Sequence, residues 1–199
     1  MIQDLSKSVY GELNETPYWY AISTRARHEK KVNQRLLEKQ IQSYLPVQKT
    51  HRKWSDRYKL VEEPLFSCYV FVRIALKDRL PVLQTDGVVR LVTFNGIPAT
   101  IPEEQLNAIR TVSEKMEQVQ KIDYLTPGKK VEVVQGDLKG LQGILVAVKN
   151  SHRLVLQIDS IKQAIAVDID YRDVRVINEP EVDSAIKYDR LAKKFYRQL

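Results

Sequence analysis

The chain has 199 residues, 43% of them hydrophobic and 29% charged, which is enough for one or two ordinary domains with cores of their own. One cysteine and three histidines exclude a disulfide framework and a Cys- or His-rich metal site. No apolar run approaches the roughly 20 residues of a bilayer span, and the first 17 residues lack the apolar stretch of a signal peptide, so a cytoplasmic protein with no membrane partner is expected. The net charge of +7 is unevenly held: between Arg25 and Lys59 eleven Lys/Arg stand against three acids, a local balance of +8. Such clustering is the footprint of a polyanion-binding face; a merely solvated basic surface has the same composition.

Residues 1–17 are polar and unpatterned and read as a flexible leader. Trp19–Ser23 is a short aromatic and β-branched run, hence a strand. A helix is expected over about Arg27–Gln40, with Val32, Leu36, Leu37 and Ile41 on one face. Arg27, Lys31, Arg35 and Lys39 recur every fourth residue beside that face. Only Arg35 has an acid within one turn, Glu38, so the stripe reads as mostly unpaired and suited to phosphate. Pro46–Lys59 is strongly basic and reads as a strand with a long exposed loop or hairpin. Leu65–Val72 is an apolar run expected to form one central strand covered on both faces, with Cys68 a small buried residue inside it. A short helix near Lys77–Gln84, a strand at Val88–Phe94 and an Asn95–Gly96 turn follow. Pro102, Glu103 and Glu104 open a helix whose apolar side is Leu106, Ile109, Val112, Met116 and Val119. The order strand, helix, strands, helix, strand, helix describes an α+β domain over residues 18–120.

Residues 121–127 read as a linker, after which the period changes to two. Val131/Val133, Ile144/Val146/Val148, Leu154/Leu156/Ile158, Ile165/Val167/Ile169 and Val174/Val176 mark five short strands separated by turn residues, the pattern of a small barrel over 128–178. The basic tail at 179–199 is helix-compatible.

No catalytic constellation is present: no glycine-rich phosphate loop, no His–Glu pair at metal spacing and no nucleophile elbow. Asp168 and Asp170 alternate with Ile169, which fits solvent-facing strand residues better than a carboxylate pair, and His28 reads as a polar surface residue. Neither enzymatic activity, nor a cofactor, nor a metal is expected.

The specific signal lies in Gly128-Lys-Lys-Val-Glu-Val-Val-Gln-Gly136-Asp-Leu-Lys139-Gly140-Leu-Gln-Gly143-Ile-Leu-Val146. Two strands flank a glycine-punctuated turn, with Gly136, Gly140 and Gly143 where a positive φ or a close backbone approach is expected. This resembles the KOW motif of SH3-like barrels, which bind both RNA and protein. Upstream, Trp19-Tyr20, Glu29-Lys30-Lys31-Val32, Pro64-Leu65-Phe66-Ser67-Cys68-Tyr69-Val70-Phe71-Val72, Gly87-Val88-Val89-Arg90 and Ile101-Pro102 follow in order. With the barrel they resemble the NusG family of transcription elongation factors over about residues 18–177. Ser67-Cys68, where the housekeeping member usually has Pro-Gly, and the basic 49–59 stretch look more like specialised paralogues of the RfaH/UpxY type.

The resemblance implies a ferredoxin-like antiparallel sheet with flanking helices (the NGN domain) followed by the SH3-like KOW barrel. It implies antitermination by binding the β′ clamp helices of RNA polymerase, with the family's aromatic positions falling on Phe66, Tyr69 and Phe71 and a nearby contribution at Ser23. Core packing is the competing reading for Phe66 and Phe71; Tyr69, with its polar end, is the better interface candidate. It further implies reading of the non-template DNA strand by a basic face, for which Arg25, Arg27, Lys31, Arg35, Lys39, Arg52 and Arg57 are candidates. Trp54 and Tyr58 could stack bases or anchor the loop. A small-subunit ribosomal protein or Rho are the barrel partners the family suggests. General elongation and ribosomal RNA binding through the barrel remain alternative functions. The three glycines and the β-branched runs favour strands over helix, which predicts a constitutive barrel that leaves the polymerase site open.

Overall fold

Period-two alternation in the aromatic run at Trp19 builds a sheet with two apolar faces. In β1 (Tyr18–Thr24), Trp19 and Ala21 join one buried cluster while Tyr20 and Ile22 join another. The computed structural model describes residues 11–53, 58–94, 96–116, 119–122, 128–148 and 151–177. Within them β1 is followed by α1 (Glu29–Glu38), β2 (Ser43–Tyr44), the ribbon β3 (Val47–Lys53) and β4 (Tyr58–Pro64), then β5 (Tyr69–Ile74) and α2 (Arg79–Leu83). Next come β6 (Val88–Leu91), β7 (Thr93–Phe94), β8 (Ile97–Pro98), β9 (Thr100–Ile101) and α3 (Glu103–Lys115). The main sheet is antiparallel in the order β2-β5-β1-β6, with β9 also on β1, the ferredoxin-like arrangement.

α1 and α2 cover one face, where Val32, Leu36 and Val82 meet Tyr20, Ile22, Val70 and Val72. α3 covers the other through Leu106, Ile109 and Val112, against Trp19, Ala21 and Phe71. α1 ends in a Schellman turn: Gln40 takes φ +61, its N–H donates to Leu37 O, and the N–H of Ile41 donates to Leu36 O. Leu37, expected on the buried face, is 53% exposed; the buried side of the helix is Glu29, Val32 and Leu36, and Ile41 packs against the same cluster just beyond its end.

The second unit is a six-stranded antiparallel sheet in the order β10-β14-β13-β12-β11-β15, an SH3-like barrel. Its strands are β10 (Gln120–Ile122), β11 (Lys129–Val133), β12 (Gln142–Val148), β13 (Ser151–Ile158), β14 (Gln163–Ile169) and β15 (Val174–Val176). The five strands expected from the alternation are there. β10 is additional: it falls where the first domain was expected to give way to the linker and pairs with β14 from Gln120↔Ala166 to Ile122↔Ala164.

Two expectations are corrected. The leader is not unstructured up to residue 17: residues 11–15 are helical, and Leu13 is buried beside Tyr20 and Val72. The Lys77–Glu15 ion pair (2.6 Å) also holds this segment. Leu65–Val72 is not one strand either. Leu65 and Phe66 are buried, but Ser67 and Cys68 form a turn, Cys68 stands at φ +66, and the strand begins only at Tyr69. The turn is tied to its neighbours through Cys68, whose N–H donates to the buried Glu29 Oε1 (2.7 Å) and whose carbonyl accepts from Thr24 N–H (2.8 Å). The left-handed backbone accounts for the glycine that the resemblance placed here, and Cys68 is half-buried, not enclosed in the core.

A side chain branched at Cβ is poorly tolerated at that φ. Cys68→Val is expected to lower the unfolding free energy by about 1–2 kcal/mol, whereas Cys68→Gly keeps or raises it. Urea denaturation of the two variants checks this; equal losses would show that φ at residue 68 costs nothing.

Candidate functional site

The face of the main sheet turned away from α1 and α2 brings Ser23, Tyr69 and Phe71 together. Ser23 and Tyr69 are directly opposite in the β1–β5 register, and Ser23 Oγ donates to Arg90 O on β6 (3.4 Å). Phe66 and Phe71 are fully buried and meet edge to face with ring centroids 5.8 Å apart. Phe71 also stacks on Tyr44 (6.4 Å), over whose ring Arg110 lies at 5.0 Å. Burial pushes the Tyr44 phenol up, against the smaller opposing effects of the Ser113 hydrogen bond and the Arg110 charge, so Tyr44 is a neutral hydroxyl bonded to Ser113. Of the four residues expected to touch the polymerase, two are therefore core, and Ser23 and Tyr69 are the half-buried pair.

The barrel is folded as strands, but it does not leave this face open. Trp19, Ala21, Phe66 and Phe71 belong to one continuous apolar cluster with Val131, Leu154, Ile158 and Ile161 of the barrel. A turn of 3-10 helix at Asp159–Ile161 sits over the site. Ser23, Tyr69, Arg90 and Val92 line a chamber of about 240 Å³ together with Ser160, Ile161 and Lys162. Lys121 Nζ donates to Ser67 Oγ (2.9 Å), and Lys115 Nζ donates to Asp137 O (2.7 Å). The expectation of an open face is thus corrected, because barrel residues already cover the apolar surface beside Tyr69.

The KOW-like turn is as expected. Gly136 (φ +76) and Gly140 (φ +87) have left-handed backbones, and a Cβ on Gly143 would meet Val155 O at 2.7 Å. Gly128 lies just before β11, and Lys139 projects into solvent. The Asp168–Asp170 pair is no acid–base dyad. Asp168 pairs with Arg153 (3.1 Å), while Asp170 caps the turn at Tyr171–Asp173, where hydrogen bonds from Arg172 hold its carboxyl down to about 2. His28 Nδ1 lies 3.0 Å from Ala26 O. No group of metal-ligating side chains occurs among the described residues.

Residues 17–110 match the sequence pattern of the family described as Transcription termination factor nusG. Those residues are a NusG-family domain. The transcription termination/antitermination protein NusG of Lactococcus lactis is 28% identical over 174 residues, which is 80% of this chain and 92% of that one. The solved structure of Thermotoga maritima NusG shares the fold, with a TM-score of 0.51 at 18% identity, covering 82% of this chain and 98% of that one. The family matched over residues 17–110 is one of transcription factors rather than enzymes. No helix among the described residues is long and apolar enough to cross a membrane.

On the NusG domain the basic stripe divides in two. Arg35 Nη1 pairs with Asp86 Oδ2 and donates to Asp86 O, both at 2.7 Å, and Arg25 reaches the same carboxylate at 3.5 Å. Lys39 Nζ donates to Pro81 O (3.0 Å) and Thr85 Oγ1 (2.8 Å). These side chains staple α1 and its C-terminal end to α2 and the loop after it, so half of the stripe is engaged: Arg35 by an acid 51 residues away that no sequence window reveals, Lys39 by Pro81 O and Thr85 Oγ1. Glu38, expected to pair with Arg35, instead accepts from Gln34 (3.0 Å). Arg27 and Lys31 are exposed and make no ion pair among the described residues. The ribbon presents Tyr58 (69% exposed), Lys59 and Lys49, with Arg52 opposite Lys59 in the register. Trp54 and Arg57 lie outside the described residues.

If Arg35 and Lys39 are staples, Arg35→Ala and Lys39→Ala should each cost about 0.5–1.5 kcal/mol. Lys31→Ala should stay within about 0.5 kcal/mol of the parent. Thermal denaturation of the three variants distinguishes staple from solvated charge; indistinguishable midpoints would return Arg35 and Lys39 to the solvated face.

Proposed function

We propose that this NusG-family protein is an antitermination factor that binds the clamp helices of RNA polymerase β′ and suppresses pausing or termination, acting at particular operons. The observation that carries the reading is the family match of residues 17–110, a domain whose sheet face concentrates Ser23 and Tyr69 at the edge of a buried aromatic cluster. A factor that binds one clamp state more tightly than the other shifts the clamp equilibrium without chemistry. Phe66 and Phe71 support the surface from below, and Tyr69 contributes the contact. Because the barrel covers this face, the polymerase must displace it, and the released barrel is then able to take a second partner, a small-subunit ribosomal protein or Rho.

The basic face is proposed to hold the non-template DNA strand. Arg27, Lys31 and the ribbon residues Arg52 and Arg57 supply phosphate contacts, with Trp54 and Tyr58 stacking on bases. Arg25, Arg35 and Lys39 add to the field while serving as staples. The specialised role is favoured by Ser67-Cys68 in place of Pro-Gly and by the basic ribbon.

An in vitro pausing assay with purified polymerase on several templates tests the reading. Reduced pausing on a subset of templates is expected; equal effects on all would indicate a general elongation factor, and no effect on any would remove the antitermination reading. Tyr69→Ala is expected to weaken polymerase pull-down while leaving the thermal midpoint near that of the parent; unchanged capture would take Tyr69 out of the site. Replacing Arg27 and Lys31 by Glu should lower the salt slope of single-stranded DNA binding by about two contacts, and an unaltered slope would make them a solvated face.

A further inference from the structure

Among the described residues Glu29 is the only charged side chain that is buried, at 6% exposed. It stands in the first turn of α1, where the helix N-terminus favours a negative charge. A carboxylate is costly to bury unless its oxygens are answered. Val32 and Leu36 already supply the apolar side on which α1 packs, so what Glu29 adds is an acceptor, and the donor it meets is the N–H of Cys68, 39 residues on, at 2.7 Å. That N–H belongs to a turn with a demanding backbone. Cys68 holds φ +66, a region that residues with a side chain rarely adopt. Its carbonyl accepts Thr24 N–H (2.8 Å), so the residue is pinned from one side by α1 and from the other by β1. The residues flanking it are those that face a partner. Tyr69 opens β5 opposite Ser23, and Ser67 Oγ accepts from Lys121 Nζ of β10 (2.9 Å).

We propose that Glu29 is the positioning residue of this face: its carboxylate holds the Ser67-Cys68 turn in the left-handed conformation from which Tyr69 is presented beside Ser23. What Tyr69 then touches rests on the polymerase reading; the hold on the turn rests on the geometry alone. A hydrogen bond to an ionised acceptor is about twice as strong as one between neutral groups, and here it selects one backbone state of the peptide that leads into Tyr69. Because the bond is made before a partner arrives, the polymerase meets an ordered tyrosine and does not have to immobilise it. The same turn presents Ser67 to Lys121, so one carboxylate in α1 serves whichever occupant lies on the face, barrel or polymerase.

Amide hydrogen exchange of the full chain and its capture by purified polymerase are measured for the parent, Glu29→Ala and Glu29→Gln. Glutamine loses the charge but keeps a carbonyl oxygen for Cys68 N–H, so comparing the two variants separates the hydrogen bond from the charge at the helix terminus. Glu29→Ala is expected to speed exchange at Cys68 and Tyr69 about tenfold, while Leu36 and Val72 keep the rates of the parent, and to weaken capture about tenfold. Glu29→Gln is expected to return both to within about threefold of the parent. In a Tyr69→Ala background Glu29→Ala is expected to cost no further capture, since it acts through that side chain. Unchanged exchange at Cys68 in Glu29→Ala, capture of that variant equal to the parent's, a glutamine variant as impaired as the alanine one, or a further loss in the Tyr69→Ala background would each overturn the proposal. A parent that the polymerase does not capture would remove the polymerase reading instead, with exchange at Cys68 still deciding whether Glu29 holds the turn.

Discussion

A sheet with two apolar faces has to be covered twice, and the architecture of this protein follows from how that is done. One face of β1 and β5 is closed by two helices whose buried side chains come from the same hundred residues. The other face has only α3 to cover it, and α3 leaves the end that carries Ser23 and Tyr69 to be completed by another element. Burial of apolar area contributes about 25 cal/mol per Å², so such an edge is rarely left in water. Here the barrel completes it. The apolar cores of the two domains merge into one cluster, and the lysine contacts from 115 and 121 lie at its margin.

Because the second face is shared, docking of the barrel and docking of any partner at Tyr69 are alternatives. A partner at this face gains only the difference between its own contacts and those of the barrel, which lowers its apparent affinity and sharpens its dependence on whatever releases the barrel. The polar rim reinforces this logic. Interdomain surfaces of modest, partly polar character permit relative motion, and this one has polar contacts from Lys115 and Lys121 at its margin.

The sequence made periodic features legible and concealed those that depend on distant partners. The five barrel strands could be read because alternation at 131–133, 144–148, 154–158, 165–169 and 174–176 is a local property. So were Gly136, Gly140 and Gly143, whose backbone demands are local too. β10 was hidden, since three residues with no apolar alternation become a strand only by pairing with β14. The turn at Ser67-Cys68 was hidden inside an apolar run, because composition does not reveal a positive φ. The basic stripe was legible as a charge pattern, but the roles of its members were not: whether Arg35 meets solvent, a phosphate or Asp86 is decided by the loop after α2. Phe66 and Phe71 were identified as important, and the choice between core and interface required knowing that the barrel lies above them.

The barrel's own sequence limits how the shared face can be uncovered. Gly136 and Gly140 hold left-handed backbones in the β11–β12 turn, and Gly143 lets β12 pass close to β13. In a helix each glycine would be unfavourable by about 1 kcal/mol relative to alanine. The paired runs Leu154–Ile158 and Ala164–Val167 form the interior of the barrel, and a helix would disperse them around its circumference. Refolding would therefore forfeit the barrel core as well as the interface. Moving the intact barrel forfeits only the interface, together with the contacts from Lys115, Lys121 and the turn at residues 159–161. Rigid-body release is therefore the smaller change.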